Sequence, residues 1–311
     1  MAQLREVTSG LKFPEGPVAL NDGSVLVVEI TRGTLTRVRP NGAKEVVAET
    51  GGGPNGAAVG PDGKVYVCNN GGLRFTADGH PTDGVPDDYT GGYIQRVDLD
   101  SGKVEVLYTE CNGHRLRGPN DIVFDASGGF WFSDFGKVQE RQRDRTALYY
   151  AKTDGSLVKE VVFPIDGPNG IGLAPGDTHL YAAQTFEGRV WSWKIAAPGE
   201  LAPAEIGEGG PLLAGPGGGK LLAGLPGYQL LDSLAVDSAG NVCVATLING
   251  GITVISPDGA SVEFVPTGDP LTTNICFGGP DLRTAYITLS ASGRLVAMDW
   301  PRPGLKLHYN R

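Results

Sequence analysis

The 311-residue chain has only four cysteines, Cys68, Cys111, Cys243 and Cys276. No pair is spaced CxxC, so neither a thiol redox motif nor a cysteine-rich zinc site is indicated, and buried core thiols are expected. Histidine is equally scarce: His80, His114, His179 and His308 form no HxH or HExxH spacing. Any metal must therefore be held mainly through oxygen. Positive charge is in deficit, with 26 Lys and Arg against 35 Asp and Glu and a net charge of −9, which argues against nucleic acid or an anionic membrane as partner. No apolar run approaches the roughly 18 residues of a membrane span, and MAQLREVTSG lacks the charged-then-apolar layout of a secretory leader, so a cytoplasmic protein is expected.

Helical periodicity with caps at both ends is missing throughout, so helices should be nearly absent. A GxSxG elbow is missing too, which removes support for a serine hydrolase. GGGPNG at 51–56 matches GxGxxG but leads into a turn and a strand instead of opening a helix, and GPGGGKLL has Leu221 where a phosphate loop needs Ser or Thr.

What the chain does have is 48 glycines and 22 prolines beside 40% hydrophobic residues, a mixture that implies many turns joining many short strands around a large core. A block recurs six times: an anchor residue, an apolar stretch, a Gly/Asp turn, then an alternating apolar strand. The copies are FPEGPVALNDGSVLVVEI, GPNGAAVGPDGKVYVCNN, GPNDIVFDASGGFWFSDF, GPNGIGLAPGDTHLYAAQT, LLDSLAVDSAGNVCVATL and TTNICFGGPDLRTAYITLS. Their anchors are Glu15, Asn55, Asn120, Asn169, Asp232 and Asn274, and the fifth residue of each closing strand is Glu29, Asn69, Asp134, Gln184, Thr246 and Leu289. Anchor and strand residue are separated by 14, 14, 14, 15, 14 and 15 positions, the longer copies holding one extra turn residue.

A second hairpin signal follows every copy, as in GTLTRVRPNGAKEVVAE and GGITVISPDGASVEFVPT. Two hairpins per repeat make a four-stranded antiparallel unit, and six units predict an all-β, six-bladed β-propeller occupying residues 1–311 as a single domain, with a β-sandwich as the weaker alternative. Residues 1–12 and 294–310 should meet where the ring closes. Residues 71–92 and 202–227 break the spacing and read as long surface loops, the first being the better candidate for a lid.

Approximate rotational symmetry brings the six anchors together at one end of the channel. Burying carboxylates without a partner costs several kcal/mol, and a cation would remove that cost. Two carboxylates balance a divalent ion, and amide oxygens with water complete a shell suited first to calcium, then to magnesium or manganese. Asn in Pro-Asn-Gly also hydrogen-bonds its own turn, an equally good reading for Asn55, whereas Glu15 and Asp232 have no such habit. Asp134 and Glu29, at strand ends, read as structural acceptors, and Asp121 as turn-forming in preference to a place beside a metal.

FPEGP with Glu15, GPND with Asn120, GPNG with Asn169, the Asp232 block, TTNICFGGPDLRTAYIT and the closing WPRPGLKLHYN resemble, as an ordered set over almost the whole chain, the family of SMP-30, gluconolactonase and luciferin-regenerating enzyme. That resemblance implies one divalent metal, with zinc joining the ions above, held by residues matching Glu15, Asn169 and Asp232. Asn120 matches a residue that contacts substrate or metal. An Arg that contacts substrate in some members has Arg117 as its nearest counterpart. Ser233 stands where many relatives carry Gly.

The implied activity is hydrolysis of a sugar-derived lactone. In it a divalent cation polarises the carbonyl, and Asp232 serves either as general base or as nucleophile. Rival readings are a phosphotriesterase-like or other metal-dependent hydrolase on the same propeller, and a non-catalytic calcium-binding propeller. The expected partner is a small-molecule lactone, with neither nucleic acid nor membrane, on a monomer or small homo-oligomer.

Overall fold

In a computed structural model, which describes residues 3–77, 79, 81–204 and 214–310, the repeats form six antiparallel blades, five of four strands and one, the fourth, of four strands with a fifth two-residue strand added. Their inner strands are Pro14–Ala19, Pro54–Val59, Pro119–Phe124, Pro168–Leu173, Leu230–Val236 and Thr272–Gly278. Each lies against the inner strand of the next blade, and the last returns to the first, which closes the ring of a β-propeller. Four inner strands start with proline, which is tolerated at the first residue of a strand because the missing N–H is not needed there. Short 3-10 turns at Pro175–Asp177 and Pro216–Gly218 are the helical elements among the described residues, and none is long and apolar enough to cross a membrane.

Closure uses both chain ends, as expected. Arg5–Thr8 pairs with Arg294–Asp299 as the outermost strand of the sixth blade. The core lies between blades. For example, Tyr66, Phe124, Phe130 and Phe132 pack between the second and third sheets, and Trp131, Leu180 and Trp191 between the third and fourth. Cys68, Cys111 and Cys243 are buried free thiols.

The fourth blade differs from the expected pattern. GRVWSWKIAAPGE does turn back at Glu200–Leu201, but that short strand pairs only with the far end of Arg189–Ala197. The blade's fourth strand is Lys220–Gly224, drawn from the segment 202–227 that read as pure loop. Its Leu222 is buried in the core between blades four and five, and that burial recruits the strand. Residues 205–213 of the same segment lie outside the described residues.

The inner strands share an irregularity that positions everything else. Register slips by one residue at every anchor: Glu15 to Val18 runs opposite Val28 to Leu26, Pro119 to Ile122 opposite Asp134 to Phe132, and Leu231 to Leu234 opposite Thr246 to Val244. The other three blades slip likewise. A β-bulge re-aims the side chain that it carries, here away from the pleat. Glycine follows three anchors because the neighbouring blade leaves no room for a Cβ. A Cβ on Gly16 would sit 2.5 Å from the Asn55 carbonyl oxygen, and one on Gly56 would sit 2.4 Å from that of Asn120.

At the far end of the channel, residues 301–310 run beneath the blades. Leu305 donates its N–H to Val236, Gly304 to Leu282, and the Tyr309 hydroxyl to Ala126. Arg302 reaches the fully buried Asp237 at 2.7 Å. Above this floor lies a cavity of about 80 Å³, walled by residues of the inner strands and by Leu305 and Leu307.

Candidate active site

The bulges place Glu15, Asn120, Asn169 and Asp232 at the heads of four inner strands, each less than a tenth exposed. Glu15 Oε2 accepts hydrogen bonds from its neighbour Gly16 N at 3.0 Å and from Asn274 Nδ2 at 3.1 Å. Asp232 Oδ1 accepts from Ser233 N at 3.1 Å, and the neighbouring Asn169 side chain favours its ionised form. Among the described residues no Lys or Arg forms an ion pair with either acid.

Burial, and then the charge of Asp232, hold the Glu15 carboxyl well above the usual carboxylate range. Burial first of all pushes Asp232 up to about 7. Both shifts show how unfavourable two adjacent carboxylates are here without a compensating charge.

The six anchors divide into two sets. The Asn55 side-chain oxygen accepts from Asn70 Nδ2 at 3.1 Å, and the Asn274 oxygen from Ile275 N at 2.8 Å, so protein donors occupy both. Asn120 is different: its side-chain oxygen is buried with no hydrogen-bond partner. An orphaned buried carbonyl costs about 1–3 kcal/mol, a cost that a bound cation or its water would relieve. Oxygen-only donors fit a hard ion such as calcium. Asn169 also lies within the group, its oxygen receiving only a long 3.4 Å contact from the Ser233 hydroxyl. Ser233 thus turns sideways to a neighbouring blade and is itself fully buried. Among the described residues no three His, Cys, Asp or Glu side chains gather as a metal cluster.

Asp121 does more than form a turn. It accepts from Ile122 N at 3.0 Å and, across the blade boundary, from Ile171 N at 3.2 Å. Fully buried, it is pushed up to about 7 by burial. With Asp232, it is one of two carboxylates whose charge raises Glu15. The fixed side-chain identity two blades from Glu15 gave no sequence signal for this, because a PND segment is also a common turn.

Glu29 and Asp134 behave as structural acceptors. Glu29 takes hydrogen bonds from Lys12 N at 2.7 Å and Thr36 Oγ1 at 2.7 Å. Asp134 takes them from the backbone N–H groups of Arg117, Gly118 and Gly136 at 2.7, 2.6 and 2.9 Å.

Arg117 stands at the rim, not in the channel. Its Nε donates to Asp144 at 2.8 Å and its guanidinium lies 5.6 Å from the centre of the Tyr89 ring. Tyr89 belongs to the segment 71–92, of which residues 78 and 80 lie outside the described residues. The described part folds over the mouth. Tyr89 donates to the Arg117 carbonyl at 2.5 Å, Gly84 N to that of Val138 at 2.8 Å, and Phe75 packs on Phe13, two residues before Glu15. Lys137, which sequence reasoning missed, adds its ammonium to the Gly72 carbonyl at 2.7 Å. Burial lowers its pKa to about 8.

Comparison with known proteins agrees with this geometry. The model of the SMP-30/gluconolactonase/LRE-like region matches residues 13–291. A gluconolactonase of Zymomonas mobilis is 25% identical over 91% of this chain and 78% of its own length. A diisopropyl-fluorophosphatase of Loligo vulgaris is 25% identical over 68% of this chain and 66% of its own. Among solved structures, the calcium-binding protein regucalcin of Agrobacterium tumefaciens superposes with a TM-score of 0.74 at 18% identity, over 100% of this chain and 98% of that one.

Proposed function

Because this chain belongs to the SMP-30/gluconolactonase/LRE-like family, we propose that it hydrolyses lactones at the mouth of its channel with the help of one divalent cation, calcium first. The observation that carries this reading is the orphaned Asn120 oxygen set beside the buried, unpaired Glu15 and Asp232. The gluconolactonase relative supports the lactone, and the regucalcin neighbour supports calcium. Sugar-derived lactones head the substrates to assay.

In this proposal Glu15, Asn169 and Asp232 hold the ion, and Asn120 either joins them or turns to the substrate. When bound, the cation polarises the lactone carbonyl and balances the charge that develops on its oxygen. The buried carboxylates fix the position of that charge, since neither has a conformational alternative in solvent. Asp232 takes a proton from the water that adds to the carbonyl carbon. Collapse then breaks the ring C–O bond, and the proton passes to the departing alkoxide, leaving a hydroxy acid. Asn120, with its amide free to donate and its oxygen free to accept, orients the carbonyl. Arg117 enters at the rim only, through its pairing with Asp144.

The test is acid release from a panel of γ- and δ-lactones, read with a pH indicator on metal-stripped protein with and without calcium, magnesium, manganese or zinc. Turnover that needs an ion and disappears in Asp232→Asn is the expected result. Tight ion binding without turnover of any lactone would shift the reading to phosphoester hydrolysis or to a silent calcium-binding propeller.

A further inference from the structure

Lys137 is the one buried lysine among the described residues, only 2% exposed, and no step of the proposed hydrolysis uses it. A buried ammonium costs stability unless its surroundings answer the charge. Burial first of all lowers its pKa to about 8, Asp134 and Asp144 pull the other way, and Arg117 adds to the lowering. The contacts of the ammonium show what the charge holds. It donates to the Gly72 carbonyl at 2.7 Å and lies 4.9 Å from the centre of the Tyr89 ring. Gly72 and Tyr89 stand near the two ends of the segment 71–92, so one ammonium holds both of its legs.

Each leg is fastened to the head of an anchor strand. Gly72 N donates to the Asn70 side-chain oxygen at 2.8 Å, and Asn70 Nδ2 donates in turn to the Asn55 side chain at 3.1 Å. A Cβ on Gly53, two residues before Asn55, would fall 2.9 Å from Gly72 Cα, so this leg rests on the second blade. The returning leg grips residues 116–118, which run straight into the strand of Asn120. Gly92 N donates to the Leu116 carbonyl at 2.8 Å, and the Tyr89 hydroxyl to that of Arg117 at 2.5 Å. From the other side, Gly118 approaches Gly136, the neighbour of Lys137, so closely that a Cβ on it would fall 2.6 Å from the Gly136 carbonyl oxygen. The ammonium therefore links the approaches to two anchors with opposite outcomes, Asn55 with its oxygen satisfied and Asn120 with its oxygen open.

We infer that Lys137 is a positioning residue: its ammonium clamps both legs of the segment 71–92 to the heads of the second and third blades, and so sets the direction in which Asn120 meets the substrate. The effect on substrate rests on the lactonase reading, whereas the clamp itself does not. A methionine at 137 would fill similar space, but it neither hydrogen-bonds to the Gly72 carbonyl nor offers a cation to the Tyr89 ring. An arginine keeps both interactions and stays charged. The groups that face the ammonium are Asp134, Asp144, Arg117 and Tyr89. Burial pushes Tyr89 up to about 12, so it remains neutral while Lys137 titrates.

The experiment reads amide hydrogen exchange of the metal-free, full-length chain, and calcium-dependent turnover of the fastest-cleaved lactone of the panel, in the wild type, Lys137→Met, Lys137→Arg and Tyr89→Leu. Lys137→Met should lower protection about tenfold at 70–72, 89–92 and 116–118, and leave the inner strands of the fifth and sixth blades unchanged. Tyr89→Leu should loosen 89–92 and 116–118 in the same way, with the double variant losing little more than either single one. Lys137→Arg should restore most of the protection. In turnover, Lys137→Met should lower kcat about tenfold with KM little moved, because a misdirected Asn120 fails mainly in the transition state. Wild-type kcat should fall as pH rises through about 8, that of Lys137→Arg should not, and that of Lys137→Met should be low and level across the same range.

Unchanged protection at 116–118 in both Lys137→Met and Tyr89→Leu, or protection lost evenly round the ring, overturns the clamp. An alkaline fall in kcat that persists in Lys137→Arg overturns its control of the site while leaving the lactonase reading intact. If no lactone is cleaved, the lactonase reading fails, and exchange at 116–118 decides the clamp by itself.

Discussion

Asp134 and Asp232 are buried at two different places of their blades, the end of the second strand and the bulged head of the inner strand, and the two have opposite hydrogen-bonding outcomes. At the strand end of the third blade, Asp134 is wrapped by three backbone N–H donors. At the strand head of the fifth, Asp232 is also buried but accepts one backbone hydrogen bond, from Ser233, and feels a second carboxylate, Glu15. Burial raises both acids, and at Asp134 the N–H groups and the ammonium of Lys137 pull against it. The difference teaches how to read buried carboxylates in this fold: a closed set of donors marks a rivet, and an open one marks a site.

The largest effect expected comes from undoing the rivet at the floor. Deleting residues 302–311 strips Arg302 from the fully buried Asp237 and uncovers Leu305 and Tyr309, which should cost about 5 kcal/mol or unfold the chain. Thermal unfolding measures it, and unchanged stability would end the idea that the tail closes the ring from below. Asp232→Asn comes next. It should lower ion-dependent lactone turnover about a thousandfold, roughly 4 kcal/mol, yet leave the metal-free protein as stable as before or more so, since it removes a repelling charge. A large fall in stability with activity retained would reverse the assignment of the two places.

Asp134→Asn is the mirror case. Turning an acceptor into a donor that faces N–H groups should cost about 3 kcal/mol in denaturant unfolding while calcium affinity stays within about twofold. Loss of affinity without loss of stability would make Asp134 part of the site.

The smallest effect is a pH dependence. Asp232 is pushed up to about 7 and Glu15 is raised as well, so the metal-free folded chain holds protons that the unfolded chain gives up. The stability contributed by these acids is full below the ordinary carboxylate pKa and is lost as pH rises through about 7. A cation takes the ionised forms, so its apparent affinity should rise up to about tenfold per pH unit below neutrality, then level off, with protons released on binding. Calorimetric titrations at several pH values read both quantities, and a flat profile would contradict a site built on these two acids.

Much of this was legible without coordinates because the repeat keeps its register. Anchor-to-strand spacings of 14, or 15 where the turn holds one extra residue, placed Glu15, Asn120, Asn169 and Asp232 in one ring, and turn-rich composition with two hairpins per copy specified four-stranded blades. The fourth strand of blade four was not legible: Lys220–Gly224 lies in a Gly- and Pro-rich stretch, and only burial of Leu222 against the next blade selects it. Nor was the partition of the anchors visible. Asn55 and Asn120 sit in the same Pro-Asn context, and one oxygen is satisfied because Asn70 happens to face it while the other is not.

Strand pattern, blade count and the chemical type of the ring residues were therefore determined by the sequence alone, because they follow from local periodicity and from residue identities repeated at fixed spacing. Tertiary structure alone decided which anchor oxygens remain open, that Arg117 turns to Asp144 and Tyr89, and that Phe13 packs on Phe75 and Phe186 on Phe135. Those outcomes depend on contacts between blades distant in the chain, where a shift of one side chain decides whether a buried oxygen finds a donor.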